Sequence, residues 1–234
     1  MAVAILAAMQ EELAAILAGY EPAPAPEVLP LEGHRFIYHG LEVVAVRTGV
    51  GKVSAAMAAQ RVIDAVAPMA IINTGVAGAL ETQSLRIGDV VVARDCAQHD
   101  LDATPLGFAL GEVPYTGLRF FAADPALAAA ALTADCSPHA VVPGRVLSGD
   151  QFIRRPPPER LNRLLELGGS VVEMEGAAIA QVAVVNQVRF AIVRTVSDFA
   201  DGSAAADFAR FLPLAARNSL AVCQSILDLL RREV

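Results

Sequence analysis

What the sequence lacks narrows its role before any motif is considered. It has no block of basic residues: 18 Lys and Arg face 25 Asp and Glu, for a net charge of −7. Such a chain is poorly suited to neutralising a run of phosphates, so nucleic acid is not an expected partner. Cysteine is sparse: Cys96, Cys136 and Cys223 are odd in number, far apart and without a C-x-x-C pair. Neither a disulfide framework nor a zinc site is indicated, and a reduced compartment fits. No stretch approaches the roughly 18 uninterrupted apolar residues that mark a membrane span. The segment from Met1 to Glu12 has no basic leader and reaches acids too early for a secretory signal. A soluble, cytoplasmic protein is expected, with no membrane partner. Tryptophan is absent and only 18% of residues are charged, but 55% are hydrophobic, so a substantial core is available.

Short apolar runs alternate with helical patterns along the chain. Residues 2–8 read as a strand buried on both faces. Gln10-Glu11-Glu12-Leu13 opens a helix to about residue 17, with acids where the helix dipole favours them. Residues 21–30 are rich in proline and break structure. Residues 34–39 and 41–47 read as a hairpin around His39-Gly40, followed by a helix over 53–66. Further strands are expected at 69–73, 87–93, 141–147 and 190–196. Helices are expected at 124–134, 159–167, 175–186 and 207–232, the last kinked at Pro213. No long linker or repeat divides the chain. The expectation is a single α/β domain over residues 1–234, three αβα layers around a mixed, largely parallel sheet.

Three motif-like stretches fail their tests. Thr48-Gly49-Val50-Gly51-Lys52 resembles a P-loop, but Val46 and Val53 stand where that motif needs glycine and Ser or Thr. Its glycines still permit close backbone approach to a ligand. Thr74-Gly75-Val76-Ala77-Gly78-Ala79 reads as a glycine-rich turn at a strand end without dinucleotide-fingerprint spacing. His99-Asp100-Leu101-Asp102 offers one histidine and no second cluster, so no metal or other cofactor is expected. His99 is expected in a loop with ordinary hydrogen bonds.

The most informative stretch is Val171-Val172-Glu173-Met174-Glu175-Gly176, where a strand runs into a helix rich in small residues. Glu173 and Glu175 are two apart, so on an extended segment both would point to one face. The plainer alternative is a helix first turn enriched in acids. Other strand ends carry Glu12, Gly49 to Gly51, Gly75 to Gly78, Ser148 to Ile153, and Ser197-Asp198. Carboxylates, glycine-rich segments and Phe152 together suit a small neutral ligand with hydroxyls and a flat base. Breaking a glycosidic bond passes through a cationic transition state that carboxylates stabilise. One group must protonate the leaving group and another must handle the attacking water.

In this order and at these separations, the stretches from Ala8 to Glu12, Thr48 to Lys52, Asn73 to Gly78, Ser148 to Phe152, Val172 to Gly176 and Val196 to Asp198 carry a resemblance. The chain resembles the nucleoside phosphorylase superfamily, and within it the bacterial 5′-methylthioadenosine/S-adenosylhomocysteine nucleosidases. That resemblance implies roles. Asp198 would protonate purine N7, which requires a pKa raised by partial burial, and Ser197 would orient it. Glu12 would position and deprotonate the water, with Arg194 nearby. Glu175 would hold the ribose hydroxyls with Met174 along the sugar, and Glu173 would be a supporting carboxylate. Phe152 would stack on adenine while the Ile153 backbone reads its Watson–Crick edge. Ala77 and Gly78 would line the base pocket, and Val50 and Phe208 the apolar pocket of the 5′-thioether. The resemblance also implies a homodimer whose 101–108 loop, with Leu101, Ala103 and Leu106, reaches the partner's site.

The resemblance further separates hydrolysis from phosphorolysis. Superfamily phosphorylases hold phosphate with an arginine and a Ser or Thr where this chain has Asn73 and Val76, neither of which supplies a charge-assisted bond to phosphate. Water is then the expected nucleophile. The implied substrates are 5′-methylthioadenosine and S-adenosylhomocysteine, with 5′-deoxyadenosine a further candidate. Three alternatives remain at this stage: a purine nucleoside phosphorylase, a hydrolase of futalosine-type nucleosides, and a non-catalytic nucleoside-binding protein.

Overall fold

Strand β1 (Ala2–Ala7) is buried throughout and alternates between two cores. Val3, Ile5 and Ala7 face one core, and Ala4 and Leu6 the other, as period-two side chains must on a strand covered on both faces. The computed structural model describes residues 1–81, 83–154, 156–199 and 204–234, without the side chains of 204–210 and 212.

The chain continues through helix α1 (Gln10–Leu17), β2 (Ala23–Pro24), β3 (Glu32–Tyr38), β4 (Leu41–Arg47) and α2 (Lys52–Val66). Then come β5 (Ala70–Ala79), β6 (Val90–Gln98), β7 (Phe121–Ala122), α3 (Pro125–Ala131) and β8 (Val141–Ser148). It ends with α4 (Pro158–Glu166), β9 (Val171–Glu173), α5 (Gly176–Val185), β10 (Arg189–Phe199) and α6 (Ala204–Leu230). Asp124 caps α3 through bonds from Ala126 and Leu127 N–H, with Pro125 at the first helical position. The β3–β4 hairpin turns on His39 and Gly40, both with positive φ, as a two-residue turn requires.

One half of the sheet is open, in the order β2-β3-β4-β1-β5; beyond β5 the strands close on themselves. β5 pairs with both β9 and β10, and β10-β6-β8-β9 completes a ring of five strands. The long pairings β1–β4, β5–β10 and β6–β8 are parallel, while β3–β4, β6–β10 and β5–β9 are antiparallel. The mixed, largely parallel sheet between helical layers is as expected; the closed ring is an addition. Helices α1, α3 and α6 cover one face through Leu13, Leu127, Val222 and Ile226, and α2 and α5 cover the other through Ala55, Val62, Ala180 and Ala183. No helix among the described residues is long and apolar enough to cross a membrane.

Two expectations are corrected. Residues 74–79 are not a glycine-rich turn: β5 runs through them to Ala79, because β10 and β9 supply backbone partners on both sides. Likewise β10 does not end at Val196 but extends to Phe199, with a bulge between Val196 and Asp198.

Candidate active site

The extension of β5 and β10 builds the floor of a cavity of about 240 Å³ at the carboxyl ends of these parallel strands, the usual ligand position in such sheets. In the β5 pairing Val196 lies opposite Ala77 and Asp198 opposite Gly78, leaving Ser197 as the extra residue. A bulge re-aims side chains, and here both Ser197 and Asp198 line the cavity. Ser197 Oγ donates to Asp198 Oδ2 at 2.8 Å, and both residues are buried.

Glu12 enters from the first turn of α1. Its Oε2 accepts from Ala8 and Met9 N–H, both at 3.0 Å, and Oε1 accepts from Val76 N–H at 3.2 Å. Burial pushes its pKa up, opposed by the Met9 bond and the Arg194 charge. Gly75 is needed beneath it: a Cβ there would lie 2.9 Å from Glu12 Oε1.

The paired glutamates diverge. Glu173 ends β9 and turns beneath the α5 N-terminus, accepting from Glu175 N–H at 3.1 Å and Gly176 N–H at 2.8 Å, where the helix dipole favours an anion. It also accepts from Ser148 Oγ and from Arg194 Nε at 3.0 Å. Glu175 stands at the helix N-cap in a non-extended conformation, so the period-two geometry does not hold. Its Oε1 accepts from Gly51 N–H at 2.7 Å, while Oε2 has no hydrogen-bond partner among the described residues. Burial, and then the charge of Glu173, push its carboxyl up to about 7.

Phe152 and Val50 are exposed at the cavity mouth, while Ile153, Met174, Ala77 and Gly78 line it deeper. Arg194 does not line it. Its guanidinium lies below, with all five N–H groups directed to Glu173, Asn73 and the Val193 carbonyl. Arg194 therefore reaches Glu12 through its field alone. Leu101, Ala103 and Leu106 do not line the cavity of their own chain, and Leu106 is 72% exposed. The Phe208 side chain lies outside the described residues. His99 is buried rather than conventionally bonded: Nε2 has no hydrogen-bond partner among the described residues, and burial pushes its pKa down. No cluster of metal-binding side chains occurs among the described residues.

Sequence reasoning missed Ser148 as a support. Its hydroxyl donates to Glu173 and accepts from Ala177 N–H at 2.7 Å, tying β8 to the α5 N-terminus. A buried serine at a strand end was the available signal. Chemically, the described lining combines four carboxyl residues, Glu12, Glu173, Glu175 and Asp198, with apolar walls and no Lys, Arg or His. Such a cavity can stabilise a developing cation and exchange protons, and its described residues offer no charged donor to an anion.

The family profile described as "Phosphorylase superfamily" matches residues 2–228. The chain belongs to the phosphorylase superfamily. One superfamily relative, the 5′-methylthioadenosine/S-adenosylhomocysteine nucleosidase of Geobacillus kaustophilus, is 35% identical, with 100% of this chain and 99% of that protein covered. Among solved structures, a Helicobacter pylori MTAN mutant with 5′-methylthioadenosine in its active site superposes with a TM-score of 0.89 at 32% identity, covering 97% of this chain and 98% of that one. The futalosine hydrolase of the same organism gives 0.86 at 31% identity, covering 97% of each chain.

Proposed function

We propose that this phosphorylase-superfamily protein hydrolyses the N-glycosidic bond of 5′-methylthioadenosine and S-adenosylhomocysteine, releasing adenine and the 5-thioribose product. 5′-Deoxyadenosine fits the same scheme. The observation that carries the proposal is the described lining: four carboxyl residues and, among the described residues, no cationic side chain. Among the described lining residues no side chain offers a phosphate nucleophile a charged donor, whereas water needs only a base.

In this reading Asp198, oriented by Ser197 across 2.8 Å, protonates purine N7 and turns adenine into a neutral leaving group. Glu12 takes the proton of the attacking water. It is held by three backbone N–H groups, and burial raises its basicity. Glu175 accepts the ribose hydroxyls through Oε2, since Oε1 is occupied by Gly51. Its ionised form suits that role, and its carboxyl titrates at about 7. Phe152 stacks on the base, Ile153 presents its backbone to the base edge, and Met174 lies along the sugar. Ala77 and Gly78 line the base pocket, and Val50 lines the 5′ pocket. Glu173 and Arg194 hold this frame from below.

The likeness to futalosine hydrolase favours one second reading, a hydrolase of a nucleoside with a larger 5′-substituent. Adenine or hypoxanthine release from a panel of 5′-methylthioadenosine, S-adenosylhomocysteine, 5′-deoxyadenosine, inosine and futalosine separates the two. The first reading expects the highest kcat/KM on the thioether substrates; a preference for futalosine would replace it.

We further propose a cytoplasmic homodimer. Val53, Met57 and Val185 form an exposed apolar face on α2 and α5, close to Val50 at the cavity mouth, and patches of this kind mark association surfaces. The 101–108 loop would complete the partner's site through Leu101, Ala103 and Leu106. Sedimentation equilibrium of wild type and Met57→Glu tests this: a dimer and a weakened dimer are expected, and a fully active wild-type monomer would overturn it.

A further inference from the structure

Lys52, Asp100 and Asp150 come from three separate segments, and the chemistry above uses none of them. Lys52 opens α2, Asp100 follows β6 and Asp150 follows β8. The Asp100 carboxylate is shared: Oδ1 accepts from Lys52 Nζ at 2.6 Å, and Oδ2 from Asp150 N–H at 2.8 Å. Asp150 Oδ1 in turn accepts from Lys52 N–H at 2.8 Å, closing the triangle. Lys52 Nζ also donates to Gln98 at 3.0 Å, and Gln98 donates to Gln181 on α5 at 2.6 Å.

Close approach is built into the backbone here. A Cβ on Gly149 would sit 2.3 Å from His99 Nε2 and 3.0 Å from Asp100 Cγ, and one on Gly51 would sit 3.1 Å from Asp150 Oδ1. The Lys52 and Asp100 side chains are only 17% and 23% exposed. Burial pushes the Asp100 carboxyl up, but the Lys52 bond and the Asp150 N–H outweigh it and hold the group below its ordinary value. An isolated surface ion pair contributes little. This one differs because a single carboxylate makes charge-assisted bonds to two distant segments at once.

Those two segments are opposite walls of the cavity. Beside Lys52, Gly51 holds Glu175 and Val50 lines the mouth; beside Asp150 come Gln151, Phe152 and Ile153. We propose that the Lys52–Asp100–Asp150 triangle is a latch fixing the base wall at 151–153 against the sugar wall at 49–51, so that Lys52 and Asp100 are positioning residues for substrate binding. What the two walls hold rests on the nucleosidase reading; the latch itself is read in the free protein.

Asp100→Asn and Lys52→Met test it in the full-length protein. Losing a charge-assisted bond of this kind corresponds to a rise of about tenfold in KM, with kcat changed far less and thermal stability nearly retained. Because both residues serve one latch, the double variant should be no worse than either single variant, and Lys52→Arg should restore most of the loss. Raising the ionic strength should increase KM for wild type and leave Asp100→Asn flat, because salt screens a partly exposed pair. In the free protein, hydrogen exchange at Asp150 N–H should speed up about tenfold in Asp100→Asn. Unchanged exchange and KM, additive single effects, or a fall in kcat that tracks lost stability would each overturn the latch. A wild-type protein that releases no adenine would instead overturn the nucleosidase reading, and the exchange result would still decide the latch.

Discussion

Arg194 and Glu173 pair where water does not reach. Their side chains are 2% and 3% exposed, with Arg194 Nε and Nη2 at 3.0 and 2.5 Å from Glu173 Oε2. Two buried charges are costly unless both are paired and bonded. Here the guanidinium is fully bonded and the carboxylate also receives the N-terminal N–H groups of α5. The pair explains why the neighbouring glutamates differ: Glu173 is used up in holding the frame, and Glu175 keeps an oxygen for the cavity.

Glu173→Ala should therefore be among the most damaging single changes. Removing one partner strands a buried cation, which costs on the order of 3–5 kcal/mol. Urea denaturation should show that loss, and the double variant Glu173→Ala/Arg194→Met should lose less than the two single losses added together.

Glu175→Gln should change how stability depends on pH. The folded carboxyl titrates at about 7 against an ordinary value of 4.5. Between those values the native state binds more protons than the unfolded one, so this group's contribution falls as pH rises from 4.5 to about 7. The amide removes that loss. The variant should gain on wild type between pH 5 and pH 8, by on the order of 1–3 kcal/mol in denaturant melts. A constant difference across that range would count against the assignment.

Glu12→Gln should reduce kcat by more than about a hundredfold with little effect on adenine binding, since general-base assistance is worth that much. In wild type the acid limb of the kcat profile should lie above the ordinary 4.5, because burial raises the Glu12 pKa. The part of the limb due to Glu12 should disappear in the variant, leaving the titration of Glu175 at about 7.

Gly75→Ala addresses the same base from the other side. The added methyl would fall 2.9 Å from Glu12 Oε1, displacing the carboxylate rather than simply straining the strand. A loss of kcat of about tenfold or more, from a misplaced catalytic group, should accompany a modest loss of stability in thermal melts.

Much of this was legible in the chain itself. Element order followed from short apolar runs and helix starts, and the acids singled out at strand ends, Glu12, Glu173, Glu175 and Asp198, line one cavity. Of the features that were not legible, three show the physical reason. The continuation of β5 through Gly75 and Gly78 depends on backbone partners from β9 and β10, which lie about 100 residues away in sequence. The bonding of Arg194 depends on where Glu173 and Asn73 arrive, which puts its guanidinium beneath the cavity rather than in its wall. The Lys52–Asp100 contact joins loops whose meeting is fixed only when the ring of strands closes.

The most direct measurement of the central claim is product analysis from 5′-methylthioadenosine in ¹⁸O-labelled water, with and without phosphate, for wild type and Asp198→Asn. Wild type should release adenine at the same rate in both buffers, with the label on the sugar product. Turnover should drop by more than about a hundredfold in Asp198→Asn. Stable binding without adenine release, a sugar phosphate as product, or undiminished turnover in the variant would contradict the claim.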